Sequence, residues 1–261
     1  MSSLPSIFIS HGSPMLALQD SPARRFLQGL GRSLARPKAI VVVSAHWETA
    51  GSVAVSLAAQ PDTIHDFGGF PQALYQIVYP AQGAPEVAAH AAALLEGAGL
   101  PVARHARRGL DHGAWVPLSL MYPQADVPVL QVSLVHGAGP DAHLKLGQAL
   151  APLRSEGVLI IGSGALTHNL HEFRGQPLDA PTPLWVGEFE HWMRDRLEAR
   201  DAAALLEYRK LAPSALKNHP TEEHVLPLFV AMGAAGEGAQ ARLLHASVEH
   251  GILAMDAYAF E

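Results

Sequence analysis

Cysteine is absent from all 261 residues. That excludes disulfides, thiolate metal sites and a cysteine nucleophile, so any bound metal must take its donors from His, Asp or Glu. Such donors suit borderline or hard ions: Fe(II), Zn(II) or Mn(II). Charge is scarce as well, at 16% of residues against 49% hydrophobic, which describes a well-buried globule and excludes a disordered chain. The formal net charge of -6 gives no basic footprint for nucleic acid, and the short run Arg104 to Arg108 reads as solvated surface. No stretch of about 20 apolar residues runs free of charge, so no membrane span is expected. Met1-Ser2-Ser3-Leu4-Pro5 lacks the basic start and apolar core of a signal peptide, and the expected compartment is the cytoplasm.

Histidine is what the chain has in plenty, with 15 copies. Several stand where an apolar run ends. Ser6 to Ser10 runs into His11, Ala39 to Ala45 runs into His46, and Val158 to Gly162 is followed shortly by His168. Buried strands that each deliver an imidazole at one end are how an α/β protein builds a metal or acid–base site.

The runs alternate with helical patterns. Strands are expected over 6–10, 39–45, 53–57, 127–135 and 158–161, with two closing strands over 243–248 and 252–258. Helices are expected over 21–35 (Ser21 as N-cap, Pro22 at the first helical position), 85–97, 142–153, 184–198, 202–206 and 221–232, the last bent by Pro227. This order predicts one α/β domain over 1–261, a mostly parallel or mixed central sheet covered by helices, with the site at the carboxyl ends of the strands. Residues 60–72 form a long polar and aromatic loop of the kind that often binds ligands.

His11 and His46, about one βαβ unit apart, are expected from neighbouring strand ends and can converge on one ion. In Asn218-His219-Pro220-Thr221-Glu222-Glu223-His224, His224 is the choice for a third ligand and His219 its competitor. His168, near Gly162-Ser163-Gly164, and His112, beside Asp111, are candidates for acid–base or hydrogen-bonding work. Asp111 can cap a helix or orient an imidazole. Gly162-Ser163-Gly164 lacks the spacing of a nucleophile elbow, and its glycines leave room for substrate. His90, His105, His245 and His250 read as surface residues.

Taken in order, the blocks Ile9-Ser10-His11-Gly12-Ser13-Pro14, Ser44-Ala45-His46-Trp47, Leu110 to Leu118, Gly162-Ser163-Gly164 with Thr167-His168-Asn169-Leu170, and His219 to His224 resemble those of class III extradiol ring-cleavage dioxygenases. The resemblance is to the LigB type, in its 4,5-DOPA dioxygenase-like branch, and His65-Asp66-Phe67-Gly68-Gly69-Phe70-Pro71 is similar to that branch in particular. It implies a non-haem Fe(II) held by His11 and His46, with His224 in the place where another branch has a glutamate. Three imidazoles also suit Zn(II) as an occupant. It further implies His168 as the acid–base residue, His112 as a second active-site histidine, and a catechol plus O2 as reactants. His65, Asp66 and Phe67 are expected to contact the substrate's side chain. A zinc-dependent hydrolase or a non-catalytic binding protein are the rival readings of the same residues, and a homo-oligomer is compatible with the composition.

Overall fold

Alternation inside the apolar runs decides which residues face which layer. The computed structural model describes residues 3–261. Its strands are β1 (Ser6–Ser10), β2 (Ala39–Thr49), β3 (Val53–Ser56), β4 (Val102–His105), β5 (Val129–Val135), β6 (Val158–Gly164), β7 (Ala241–His245), β8 (Val248–Glu249), β9 (Leu253–Ala254) and β10 (Ala257–Phe260). Eight of them form one mixed sheet in the order β4-β3-β5-β2-β6-β1-β10-β7, and β8 pairs with β9 apart from it. The four central strands, β5-β2-β6-β1, are parallel. Antiparallel neighbours flank them, β10 beside β1 and β3 beside β5.

Phe8, Val41, Val43 and Ile160 point to one face, packed with residues of the helices Pro85–Gly97, Gly139–Leu150, Leu184–Glu198 and Leu226–Ala235. Ile7, Ile9, Ile40, Val42 and Ile161 point to the other, beneath Pro22–Ser33 and His112–Met121. Both faces are buried, which is why these strands read as continuous apolar runs. At the start of Pro22–Ser33, Ser21 Oγ accepts the Arg24 N–H at 3.1 Å.

Three expectations change. The helix expected over 221–232 begins at Leu226, so Pro227 lies in its first turn and starts the helix instead of bending it. The two expected closing strands are four: after His245 the chain leaves the main sheet for the β8–β9 hairpin, turned by the left-handed residues His250 (φ 54°) and Gly251 (φ 71°), and returns as β10. Finally, β1 and β2 are not neighbours, because β6 lies between them. Among the described residues, no helix is long and apolar enough to cross a membrane.

Candidate active site

The insertion of β6 between β1 and β2 has a chemical result. Ser163, near the end of β6, pairs in register with Ile9 on one side and Ser44 on the other. His11 follows β1 directly, and its Nδ1 lies 3.0 Å from Ser163 Oγ. That hydroxyl donates its own proton to the Gly113 carbonyl at 2.5 Å, so towards His11 it can only accept. His11 therefore carries its proton on Nδ1 and presents Nε2 as a lone pair. An outer hydrogen bond of this kind fixes a ligand's tautomer. Ser163→Ala is expected to weaken metal binding by about 10–100-fold with the fold intact, measured by chelator competition. Unchanged metal affinity would remove Ser163 from this role.

His46 lies inside β2, not beyond it. Pairing of β2 with β5 is regular up to Val43, opposite Val132, and resumes at Glu48, opposite Leu134. More of β2 than of β5 is spent between those points, so Ser44 to Trp47 bulge from the ladder. Bulges re-aim side chains beside active sites. The brace for this one is Asp111, fully buried, which accepts from Ser44 Oγ (2.7 Å), Gln131 Nε2 (2.8 Å) and Arg108 Nη2 (3.0 Å). Ser44 Oγ in turn accepts the His46 N–H at 3.2 Å. Asp111 stands at the N-cap of His112–Met121 without capping it through its side chain. The carboxylate at that helix start comes from the loop instead: Asp66 Oδ1 accepts the His112 N–H at 2.9 Å. Asp66 Oδ2 lies 3.0 Å from His112 Nδ1, close but without the alignment of a hydrogen bond, and 3.9 Å from His46 Nδ1.

His224 sits in the turn before Leu226–Ala235. Its carbonyl accepts the Ala165 N–H at 2.8 Å, which ties the turn to the end of β6. The glycines of β6 allow this approach. A Cβ on Gly164 would stand 2.0 Å from the His224 carbonyl oxygen, and one on Gly162 would stand 2.1 Å from that of Pro227. They serve backbone-to-backbone packing, not the approach of substrate that the sequence suggests. Gly164→Ala should therefore cost about 1–3 kcal/mol and displace His224, seen as a lower melting temperature together with reduced metal binding. A variant with wild-type stability would show that the turn yields freely.

The orientation of His224 is also fixed. Its Nδ1 bonds Glu223 Oε1 at 2.9 Å, while its Nε2 is buried without a partner. His11, His46 and His224 each offer one ring nitrogen, and these donor atoms lie within 4.8 Å of one another. The Nε2 atoms of His11 and His46 are 2.9 Å apart. A buried, unpartnered imidazole nitrogen facing two others fits a divalent cation chemically. His168 stacks on His224, ring centroids 3.4 Å apart and planes within 8°. His112 lies 3.9 Å from His46 by ring centroid.

Burial keeps the cluster neutral. It drives the pKa of His11 and of His224 well below the ordinary histidine value, helped by neighbouring imidazoles. It holds His46 at about 3, with His112 adding to the effect and Asp66 opposing it. His168 falls to about 4, again mainly through burial, against the pull of Glu223. For Asp66 burial pushes upward, but His112 and His46 prevail and hold it at about 2. At neutral pH His11, His46, His168 and His224 are thus neutral imidazoles beside the ionised Asp66.

These groups open into a cavity of about 500 Å³ lined by His46, Asp66, Phe67, His112, His168 and His224 at its inner end. Of the three loop residues expected at the substrate, Asp66 and Phe67 line it. His65 does not: its Nε2 contacts the Ile77 carbonyl at 3.0 Å and its ring packs on Trp115. His219 is fully buried on the far side of the turn, its Nε2 2.8 Å from the Leu166 carbonyl, among Phe189 and Tyr208. Two residues escape sequence reasoning. Ser163 fits no nucleophile elbow, and only its register beside both strand ends marks it. His250 reads as surface, yet it lines the outer cavity.

The sheet gathers neutral imidazoles at one end beside a cavity with apolar walls, a donor set that suits a metal-dependent enzyme, and the chain's relatives are extradiol ring-cleaving dioxygenases. The chain belongs to the family described as the catalytic LigB subunit of aromatic ring-opening dioxygenase, whose model matches residues 5–260. It is 47% identical over 261 residues to a 4,5-DOPA dioxygenase extradiol of Beta vulgaris, covering 98% of this chain and 96% of that one. To the protein of the same name in Portulaca grandiflora it is 43% identical over 264 residues, covering 98% and 95%. The crystal structure of an uncharacterized Escherichia coli K12 protein superimposes with a TM-score of 0.84 at 33% identity, covering 99% of this chain and all of that one.

Proposed function

We propose that the protein opens the aromatic ring of a catechol such as DOPA with O2, giving a ring-opened semialdehyde acid, and that it depends on Fe(II) held by His11, His46 and His224. The observation that carries this reading is the convergence of three neutral imidazoles from three separate elements, two with tautomers set by Ser163 and Glu223. The relatives named above as 4,5-DOPA dioxygenases support the catechol. The full-length match supports a single catalytic domain over 1–261.

When bound, Fe(II) supplies the redox chemistry that lets dioxygen react with a closed-shell aromatic ring. The protein's part is orientation and proton traffic. His168, neutral because it is buried, has a ring nitrogen free to take a proton from a catechol hydroxyl and later to return it. Its stacking on His224 keeps that base beside the metal ligands. His112 is held at the helix start by Asp66 and presents its ring to the same space. Phe67 packs edge-on to His112 and gives the substrate ring an apolar wall. The loop that carries Asp66 and Phe67 is anchored: Ile64 N–H and Leu110 N–H pair with the carbonyls of Leu110 and Asp62, and Trp115 Nε1 donates to the Ile64 carbonyl at 2.9 Å.

The test is anaerobic loading with Fe(II), then DOPA and O2. One O2 consumed per DOPA, with the rise of a semialdehyde chromophore, is the expected result. Zn(II)-loaded protein should bind the catechol without consuming oxygen. Oxygen-independent turnover, or none with any catechol, would sink the proposal.

A further inference from the structure

A cavity of about 500 Å³ holds more than a catechol ring, so its outer wall meets the ring's substituent. That wall is apolar, built from Met15, Leu170, Phe173, Ile252 and Leu253. Among the described residues that line it, none is Lys or Arg. The cations nearby in the chain are engaged elsewhere or point out. Arg108 binds Asp111 and covers Trp47. Arg24 donates to the Leu16 carbonyl, and Lys217 lies over Trp185, near Glu172. Arg174 follows Phe173 but is exposed and outside the lining.

The polar groups of the outer wall have a definite sense. His250 Nδ1 lies 2.8 Å from the Gln176 carbonyl, which can only accept, so Nδ1 carries the proton. That leaves Nε2 as the ring nitrogen through which His250 can meet a ligand. Phe173 packs edge-on to the His250 ring at 5.3 Å. Ser13 and Gln19 carry no charge, and the one acidic side chain among the lining residues is Asp66. A carboxylate entering here without an ammonium on the same tail would shed water and meet no cation.

We infer that this site selects catechols whose ring substituent is uncharged or carries a cationic donor, discriminates against those with a net anionic substituent, and uses His250 as the acceptor that recognises the donor. The inference rests on the catechol reading above and names the substrate class within it. Rejection comes from an unpaired charge, not from a clash, so shape alone should not predict the ranking.

The test uses four catechols that share a ring and differ in the tail at position 4: dopamine, 4-propylcatechol, DOPA and 3-(3,4-dihydroxyphenyl)propionate. Dissociation constants are measured on the Fe(II)-loaded protein without oxygen, and kcat/KM with it. The propionate is expected to bind at least about tenfold more weakly than 4-propylcatechol, with dopamine the tightest. Leu170→Arg adds a cation at an exposed position of the wall and should narrow the propionate's deficit by about tenfold. His250→Phe keeps the contact with Phe173 and should erase dopamine's advantage over 4-propylcatechol. A propionate that binds as well as 4-propylcatechol overturns the inference, as does a preference for it that His250→Phe abolishes, since His250 would then be the carboxylate's partner. If the tails rank as expected but no catechol consumes oxygen, the ring-cleavage reading fails while this one stands. If rings open with no penalty for the anion, the reverse holds.

Discussion

His11→Ala protein, loaded anaerobically with Fe(II) and desalted, is expected to retain almost no metal and to show no oxygen uptake with DOPA. The loss should exceed the roughly 10–100-fold typical of an outer-shell partner, because a donor itself is gone. The reason lies in how little else can replace it. His11 is buried, its proton is committed to Ser163, and its Nε2 faces His46 at 2.9 Å. Two donors that close suit one shared ion, which would need the proton of His46 on Nδ1, the side on which Asp66 stands at 3.9 Å. Asp66 thereby favours the form of His46 that frees its donor. His46→Ala and His224→Ala should behave like His11→Ala. Elemental analysis of the three variants, with circular dichroism to establish folding, checks this. A folded variant with a full complement of metal would place the ion elsewhere.

Much of this arrangement is written in the sequence where both faces of a strand are buried. Runs such as Ala39-Ile40-Val41-Val42-Val43 can satisfy both faces only inside an α/β sheet, and each of the central parallel strands is legible that way. The helices that carry the site are harder to read. His112–Met121 is buried at nearly every position, so it has no polar stripe and no period to detect. Leu226–Ala235 is equally apolar, so no pattern marks its start, and Pro227 reads as a bend instead of a first-turn residue. The bulge at His46 depends on Asp111 and Gln131, far away in sequence, and no local pattern encodes it. The family resemblance supplies the roles of His224, whose turn packs against glycine, and of His168, whose N–H is held by the Asn218 carbonyl. His250 cannot be found from its neighbours at all, because it reaches the cavity only through the β8–β9 excursion.

His168→Ala should separate the metal from the chemistry. The variant is expected to hold Fe(II) and bind catechol, yet turn over about 10²–10⁴-fold more slowly, the usual contribution of a positioned proton-transfer group. His168 shares its stacking face with His224, but the hydrogen bond of His224 to Glu223 and the tie from its carbonyl to Ala165 do not involve His168. The ligand should therefore keep its place when the ring beside it is removed. A second signature comes from pH. Burial holds the His168 pKa at about 4, so in the free enzyme the base is available throughout the neutral range and is lost only as pH falls through that region. The acidic limb of kcat/KM that His168 contributes should vanish in His168→Ala, leaving a slow rate with less dependence on acid. His112→Ala should cost less than His168→Ala if it orients the ring without exchanging a proton. Single-turnover measurements on metal-saturated protein decide the matter. If His168→Ala loses its metal while remaining folded, His168 belongs with the ligands. If it turns over at the wild-type rate, the proton passes through another group, and His112 is the next imidazole in the same cavity.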